Sequence, residues 1–285
     1  MGDPLEETLE TPQSNAAELA KSSGKDAWYP ASKRDSFIVR QLVTKDFKLK
    51  YRRSILGIAW SVLNPLLMML VQVVVFTRLM IRVDSSIPNF PLYLILGNTA
   101  WSLMSQATNQ GMLSIINASG LLKKVRIDRW VFPVEKVLFA VVNYLFSMAA
   151  VALVMVVFRW VPSIYALYLP LGLLYLTVFC IGLSLMLSAL AVFFRDVIHL
   201  WGVVLTAWSY LTPLFYTVQI LPEWMQSLER FNPMYLYITF IRRILLWRTD
   251  PGLACHLGCI GFALLSLAIG YFVFRRRESR FILFI

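Results

Sequence analysis

"YRRSILGIAWSVLNPLLMML" spans residues 51–70. Two arginines, Arg52 and Arg53, stop at the edge of an uncharged run that continues from Ile55 to Thr77. That length suits the roughly 20 apolar residues needed to cross a hydrocarbon core. Yet its first turns carry Trp60, Asn64 and Pro65. An amide in hydrocarbon needs a partner from protein or water, so this helix is expected to border more than lipid.

The remainder of the chain supplies such neighbours. Of 285 residues, 58% are hydrophobic and only 15% charged, against about 25% charge in a soluble domain. Ser85–Leu122, Val137–Phe158, Trp160–Phe194, His199–Leu221 and Gly252–Phe274 contain no Asp, Glu, Lys or Arg. Six spans are predicted, near 57–78, 91–116, 135–158, 164–193, 199–219 and 252–274. The fold class expected is an all-α integral membrane protein with six transmembrane helices. Ahead of them, 1–30 reads as a disordered acidic tail without a signal-peptide core. Residues 31–54 read as an amphipathic interface helix on lipid headgroups, with Phe37, Ile38, Leu42, Val43 and Phe47 at helical spacing. The transmembrane domain is then 55–280.

A net charge of +11 would suit nucleic acid in a soluble protein. Here the basic residues flank the apolar blocks, no nucleic-acid motif occurs, and a nucleic-acid partner is excluded. Placing the N-terminus in the cytoplasm puts twenty of the 27 basic residues on that side, among them Lys123, Lys124, Arg126, Arg129, Lys136, Arg195 and Arg275–Arg277. Arg78, Arg82, Arg159, Arg230, Arg242, Arg243 and Arg248 fall outside, and both termini are cytoplasmic. Cys180, Cys255 and Cys259 lie in apolar surroundings and suggest no disulfide framework. "CHLGC" (255–259) lacks further ligands and reads as helix packing, so no metal site is expected.

Between the fifth and sixth spans lies a segment, 220–251, too apolar for an ordinary loop and too short to cross. Two short helices broken at Asn232-Pro233 and dipping into the outer leaflet are expected. In the second span Asn98, Ser102, Ser105 and Asn109 form a polar stripe beside Gln106 and Gln110. Interhelical hydrogen bonding and a conduit both account for it. The first span presents Trp60, Asn64 and Gln72 on one broad face, and the fifth presents Trp208, Thr212, Phe215 and Gln219 with Tyr216 beside them and Pro213 as a bend. Such faces serve as stacked core or as a wall for sugar rings, with CH groups on aromatics and hydroxyls on amides. No intramembrane charge pair offers proton or sodium coupling. No phosphate loop or nucleophile elbow occurs, so no catalytic residue and no nucleotide hydrolysis is expected in this chain.

Five stretches in order carry a resemblance: "YRRSILGIAWSVLNPLL" (51–67), "FPLYLILGNTAW" (90–101), "LLKKVRIDRWVFPVEKV" (121–137), "FFRDV" (193–197) and "LPEWMQSLERFNPMYLYITFIR" (221–242). Together with the basic interfacial helix they resemble the ABC-2-type permeases of bacterial polysaccharide export, the O-antigen, teichoic-acid and capsule exporter group. The match covers about residues 33–280. The resemblance implies a multi-pass subunit of the bacterial cytoplasmic (inner) membrane, assembled as a homodimer with two copies of a separate ATPase. That ATPase uses ATP and Mg, and this chain binds no cofactor. A channel between the permeases would carry an undecaprenyl-linked polysaccharide past Trp60, Asn64, Gln72, Trp208, Thr212, Phe215, Tyr216 and Gln219. Leu121, Leu122, Lys123, Lys124, Arg126, Asp128, Arg129 and Trp130 would couple to the ATPase, with Arg195 and Asp196 as a second contact. Pro222, Trp224, Asn232 and Pro233 would belong to an external gate. A lipid or drug permease, and a membrane enzyme acting on lipid-linked sugars, remain alternatives.

Overall fold

The computed structural model describes residues 31–51, 56–78, 87–123 and 127–281. The expected acidic tail, Arg52 and Arg53, Arg82, and Lys124 and Arg126 lie outside the described residues. Within them the chain is helical, without strands: α1 (Ala31–Tyr51), α2 (Ala59–Arg78), α3 (Phe90–Asn117), α4 (Ser119–Leu122) and α5 (Val131–Val157) come first. There follow α6 (Leu169–Phe193), α7 (Asp196–Leu211), α8 (Glu223–Glu229), α9 (Pro233–Arg242) and α10 (Leu253–Glu278).

Helix starts follow local chemistry. Asn89 caps α3 by accepting from the Leu92 amide at 3.0 Å, with Pro91 in the first turn. Asn232 does the same for α9 ahead of Pro233, accepting from the Met234 and Tyr235 amides. The fifth apolar block behaves differently from expectation. Its helix stops at Leu211, and Thr212 turns extended (φ −75°, ψ 132°), because a residue followed by proline is pushed out of the helical region. Pro213 therefore ends α7 rather than bending it.

α3 occupies the centre, with α5 on one side, α6 on the other and α10 against α6. At the α6–α10 crossing a Cβ on Gly270 would fall onto the Gly182 carbonyl, so only glycine permits this approach. Ser266 donates to the Phe179 carbonyl there at 2.9 Å. By length and composition four helical segments are apolar and long enough to cross a membrane: α2, α5, Ile164–Phe193 and α10. This is a multi-pass membrane protein. α3 is long enough but is diluted by its polar stripe, and α7, at 16 residues, is short.

The segment between α7 and α10 packs in an unexpected place. Tyr237, Ile238, Phe240, Ile241, Ile244 and Leu246 are all buried, because α9 lies against α3, α6 and α10 instead of facing lipid. By contrast α8 shows Trp224 and Leu228 on the surface. A second, smaller core joins Ile115, Leu185, Val192, Phe274 and Phe281 at the basic end of the bundle. Of the four long apolar segments α2 is the least covered, with 6% of its Ala59–Phe76 stretch buried.

Candidate functional site: an amide-lined groove and a basic end

Pro65 sits inside α2, where its missing N–H frees the carbonyl of Ser61, four residues back. Ser147 of α5 donates its hydroxyl to that carbonyl at 3.2 Å. The proline therefore joins α2 to α5 and opens a groove of about 590 Å³ between α2, α3 and α5. Trp60, Asn64 and Pro65 line one wall, Trp101, Ser102, Ser105 and Gln106 the next, and Asn143 and Ser147 the third. Lys50 of α1 closes one end, donating to Asn143 Oδ1 at 3.0 Å. Asn143 in turn donates to Gln106 Oε1 at 3.4 Å.

Among the described residues no carboxylate lines this groove. Its chemistry is aromatic faces, amides and hydroxyls, which can hold an uncharged polyhydroxylated ligand by stacking and by paired donors and acceptors. The polar stripe of α3 has a divided role. Ser102, Ser105 and Gln106 face the groove, whereas Asn98 donates to Gln72 and ties α3 to α2. Lys50, Trp101, Asn143 and Ser147 were outside the site expected from sequence. Asn143 and Ser147, four apart in the uncharged Val137–Phe158 block, were the signal that would have found the third wall.

The expected channel residues separate into two groups. Trp60 and Asn64 lie in the groove, Trp60 46% exposed. Those near the end of α7 are occupied by internal packing. Trp208 donates its indole N–H to Asn232 Oδ1 at 2.9 Å, and Asn232 donates to Thr212 Oγ1 at 3.1 Å and to Glu229 Oε2 at 2.9 Å. Burial raises the Glu229 carboxyl above the usual range, and the Asn232 bond opposes that. Phe215 stacks on Phe76 at 5.5 Å. Tyr216 donates its hydroxyl to the Tyr210 and Leu211 carbonyls at the end of α7. Gln219 is exposed. Trp101 bridges the groups, edge-on to Trp208 at 5.8 Å. Of the expected gate residues, Asn232 and Pro233 form this cap, while Pro222 and Trp224 stand on the exposed α8 side.

Arg242 was counted among the basic residues of the external side. Within the fold it is almost fully buried, 2% exposed. Its guanidinium donates to the carbonyls of Tyr93, Pro213 and Leu214 at 2.8–3.3 Å and lies over the Tyr93 ring at 3.3 Å. Gly97 leaves the space for it, since a Cβ there would stand 2.5 Å from Arg242 Nη2. Burial lowers the Arg242 pKa to about 10, so the side chain stays charged at neutral pH.

At the basic end, Leu121 and Trp130 are exposed, whereas Leu122 packs against the second core. Arg129 donates to the Glu278 carbonyl, which fixes the loop to the end of α10. Trp130, Asp128 and Arg129 border a groove of about 650 Å³ floored by Ile181, Leu185, Leu267 and Phe274. Lys123, Arg195 and Asp196 are exposed. Nearby, Lys136 is held by Asp46 of α1 and by Glu135, and Phe47 stacks on Phe146 at 5.4 Å, which fastens α1 to α5.

Comparison with known proteins identifies the family. The chain is 32% identical over 243 residues to the "O-antigen export system permease protein RfbA" of Myxococcus xanthus, covering 83% of this chain and 92% of that protein. A Klebsiella pneumoniae protein of the same name is 29% identical over 194 residues, covering 68% of this chain and 74% of its own. The family model described as "ABC-2 type transporter" matches residues 38–246. The chain belongs to the ABC-2 type transporter family.

Proposed function

We propose that this chain is the permease subunit of an ATP-binding-cassette exporter that carries a lipid-linked polysaccharide of the O-antigen class out of the cytoplasm. The observation that carries the reading is the amide- and aromatic-lined groove bounded by Trp60, Asn64, Trp101, Ser105 and Asn143, with Lys50 at one end. It offers stacking faces and amides and lacks an acid that would select a cation. Two permeases pair so that their poorly covered α2 helices border one channel, with six spans per subunit, α3 and α7 among them. The chain is a transport subunit rather than an enzyme. ATP and Mg are used by two copies of a partner ATPase, which dock on the basic, cytoplasmic end. There Leu121, Lys123, Asp128 and Trp130 form one contact, and Arg195 with Asp196 the other. Both termini are cytoplasmic, and α8, with Pro222 and Trp224, stands at the external mouth.

Cysteine substitution tests the groove. Single cysteines at Trp60, Asn64, Ser102 and Ser105 are expected to react with a water-soluble maleimide several-fold faster than one at Leu153, which faces lipid. Active export of glycan should protect them. Labelling no faster than at Leu153 throughout the transport cycle would return the groove to helix packing.

A further inference from the structure

The three consecutive arginines at the end of α10 do not act alike. Arg275 pairs with Glu278 at 2.8 Å and borders the Trp130 groove. Arg276 and Arg277 point to the other side, where with Arg280 they surround a separate pocket of about 540 Å³ between the ends of α6 and α10. Its apolar lining is Phe193, Phe194 and Phe272. After Glu278 the chain turns, with the Arg280 amide donating to the Arg277 carbonyl at 3.0 Å. Phe281 is then buried against Phe193 and Phe274, at 5.9 and 5.3 Å between ring centres. That buried hook holds Arg280 against the pocket beside Arg276, four residues earlier.

Among the described residues no carboxylate lines this pocket, and none of its three arginines has an acidic partner. Arg277 Nη1 is buried and makes no hydrogen bond. A buried guanidinium donor without an acceptor is costly. Basic residues at a helix C-terminus favour its dipole and orient the chain. Those roles need charge alone, not a pocket with three converging guanidiniums and a buried idle donor. Below the pocket, the outer side of α10 exposes Leu265, Ile269 and Phe272, 46–63% accessible.

We propose that this pocket binds the phosphate headgroup of an anionic membrane phospholipid, with its acyl chains along the exposed apolar side of α10. The guanidiniums meet the phosphate oxygens, Arg277 Nη1 gains its acceptor, and the phenylalanines sit at the headgroup–hydrocarbon boundary. Charge-assisted bonds from arginine suit phosphate, and basic pockets between membrane helices favour such headgroups. The site lies outside the groove and depends on the membrane reading, not on the identity of the cargo.

The test is native mass spectrometry of the full-length permease, released from nanodiscs of phosphatidylglycerol mixed with phosphatidylcholine. Wild type should retain phosphatidylglycerol in preference to phosphatidylcholine. The R276Q/R277Q/R280Q variant should bind it about a hundredfold more weakly, at roughly a tenfold loss per arginine at most. The charge-matched variant R40Q/K45Q/K48Q on α1 should retain it. Equal retention by the triple variant, equal loss in the α1 variant, or a triple variant that loses only ATPase binding would each overturn the proposal. Displacement of the lipid by millimolar inorganic pyrophosphate would assign the pocket to a soluble anion and also overturn it. Failure here leaves the groove labelling result unaffected, so the two readings are separable.

Discussion

Arg242→Ala is expected to lower the unfolding free energy by about 2–5 kcal/mol, because it breaks a buried hydrogen-bond network and empties the space of a large side chain. The guanidinium serves three elements at once: the start of α3 through the Tyr93 carbonyl, the break after α7 through Pro213 and Leu214, and its own helix α9. Alanine would take a donor from the buried Tyr93, Pro213 and Leu214 carbonyls, of which Pro213 keeps the Tyr93 hydroxyl at 3.2 Å; a buried acceptor left unsatisfied costs about 1–3 kcal/mol. Tyr93 retains its bond to the Tyr216 carbonyl at 2.6 Å, so the collapse would be partial. Arg242→Lys should recover only part, because an ammonium cannot reproduce the planar fork or the stacking on Tyr93. Gly97→Ala tests the same site from the opposite side, since its methyl must displace Nη2. Thermal unfolding in detergent reads all three variants. An unchanged midpoint for Arg242→Ala would mean that the guanidinium only fills space.

The second large effect concerns coupling. Trp130→Ala and Leu121→Ala are expected to weaken binding of the partner ATPase by about 1–3 kcal/mol each, as interface anchors do. A loop that served only to orient the chain would need Lys123 and its neighbours but no exposed Leu121 or Trp130. Lys123→Glu should slow association and weaken coupling of hydrolysis to export while leaving insertion intact, because charge across an interface sets approach and register. Leu122→Ala provides the contrast. Leu122 packs inward on the second core, so its loss should reduce stability more than docking. Pull-down with the ATPase, controlled for protein level and topology, measures all four. Wild-type affinity in both the Trp130 and Leu121 variants would move the docking surface elsewhere.

How much of this was readable in the sequence depends on the range of the forces involved. The apolar blocks could be located because span length and charge exclusion are local properties, and α2, α3, α5 and α10 fall where those blocks predict them. The end of α7 was misread although the signal was local. Thr212 precedes Pro213, and that pair disfavours the helix regardless of hydrophobicity. The burial of Arg242 was not legible for another reason. An arginine beyond a span looks like an anchor until the carbonyls that receive it are known, and these come from residues 29 and 149 positions away. The groove was half visible. Trp60 and Asn64 stood out in an apolar helix, but Ser147, the donor to the Ser61 carbonyl that Pro65 leaves free, lies 86 positions beyond Ser61. Trp208 and Thr212 had the right chemistry for a channel wall, yet the cap at Asn232 uses their polar atoms.

The central claim is that this chain provides the membrane path for a glycan driven by a separate ATPase. Proteoliposomes measure it most directly. They would hold the purified permease with its co-purified ATPase, and be loaded with lipid-linked polysaccharide on the ATPase side. The account predicts ATP-dependent appearance of glycan on the opposite side, absent when either subunit is omitted. Equal translocation without the permease, or hydrolysis of ATP by the complex with no movement of glycan, would contradict it.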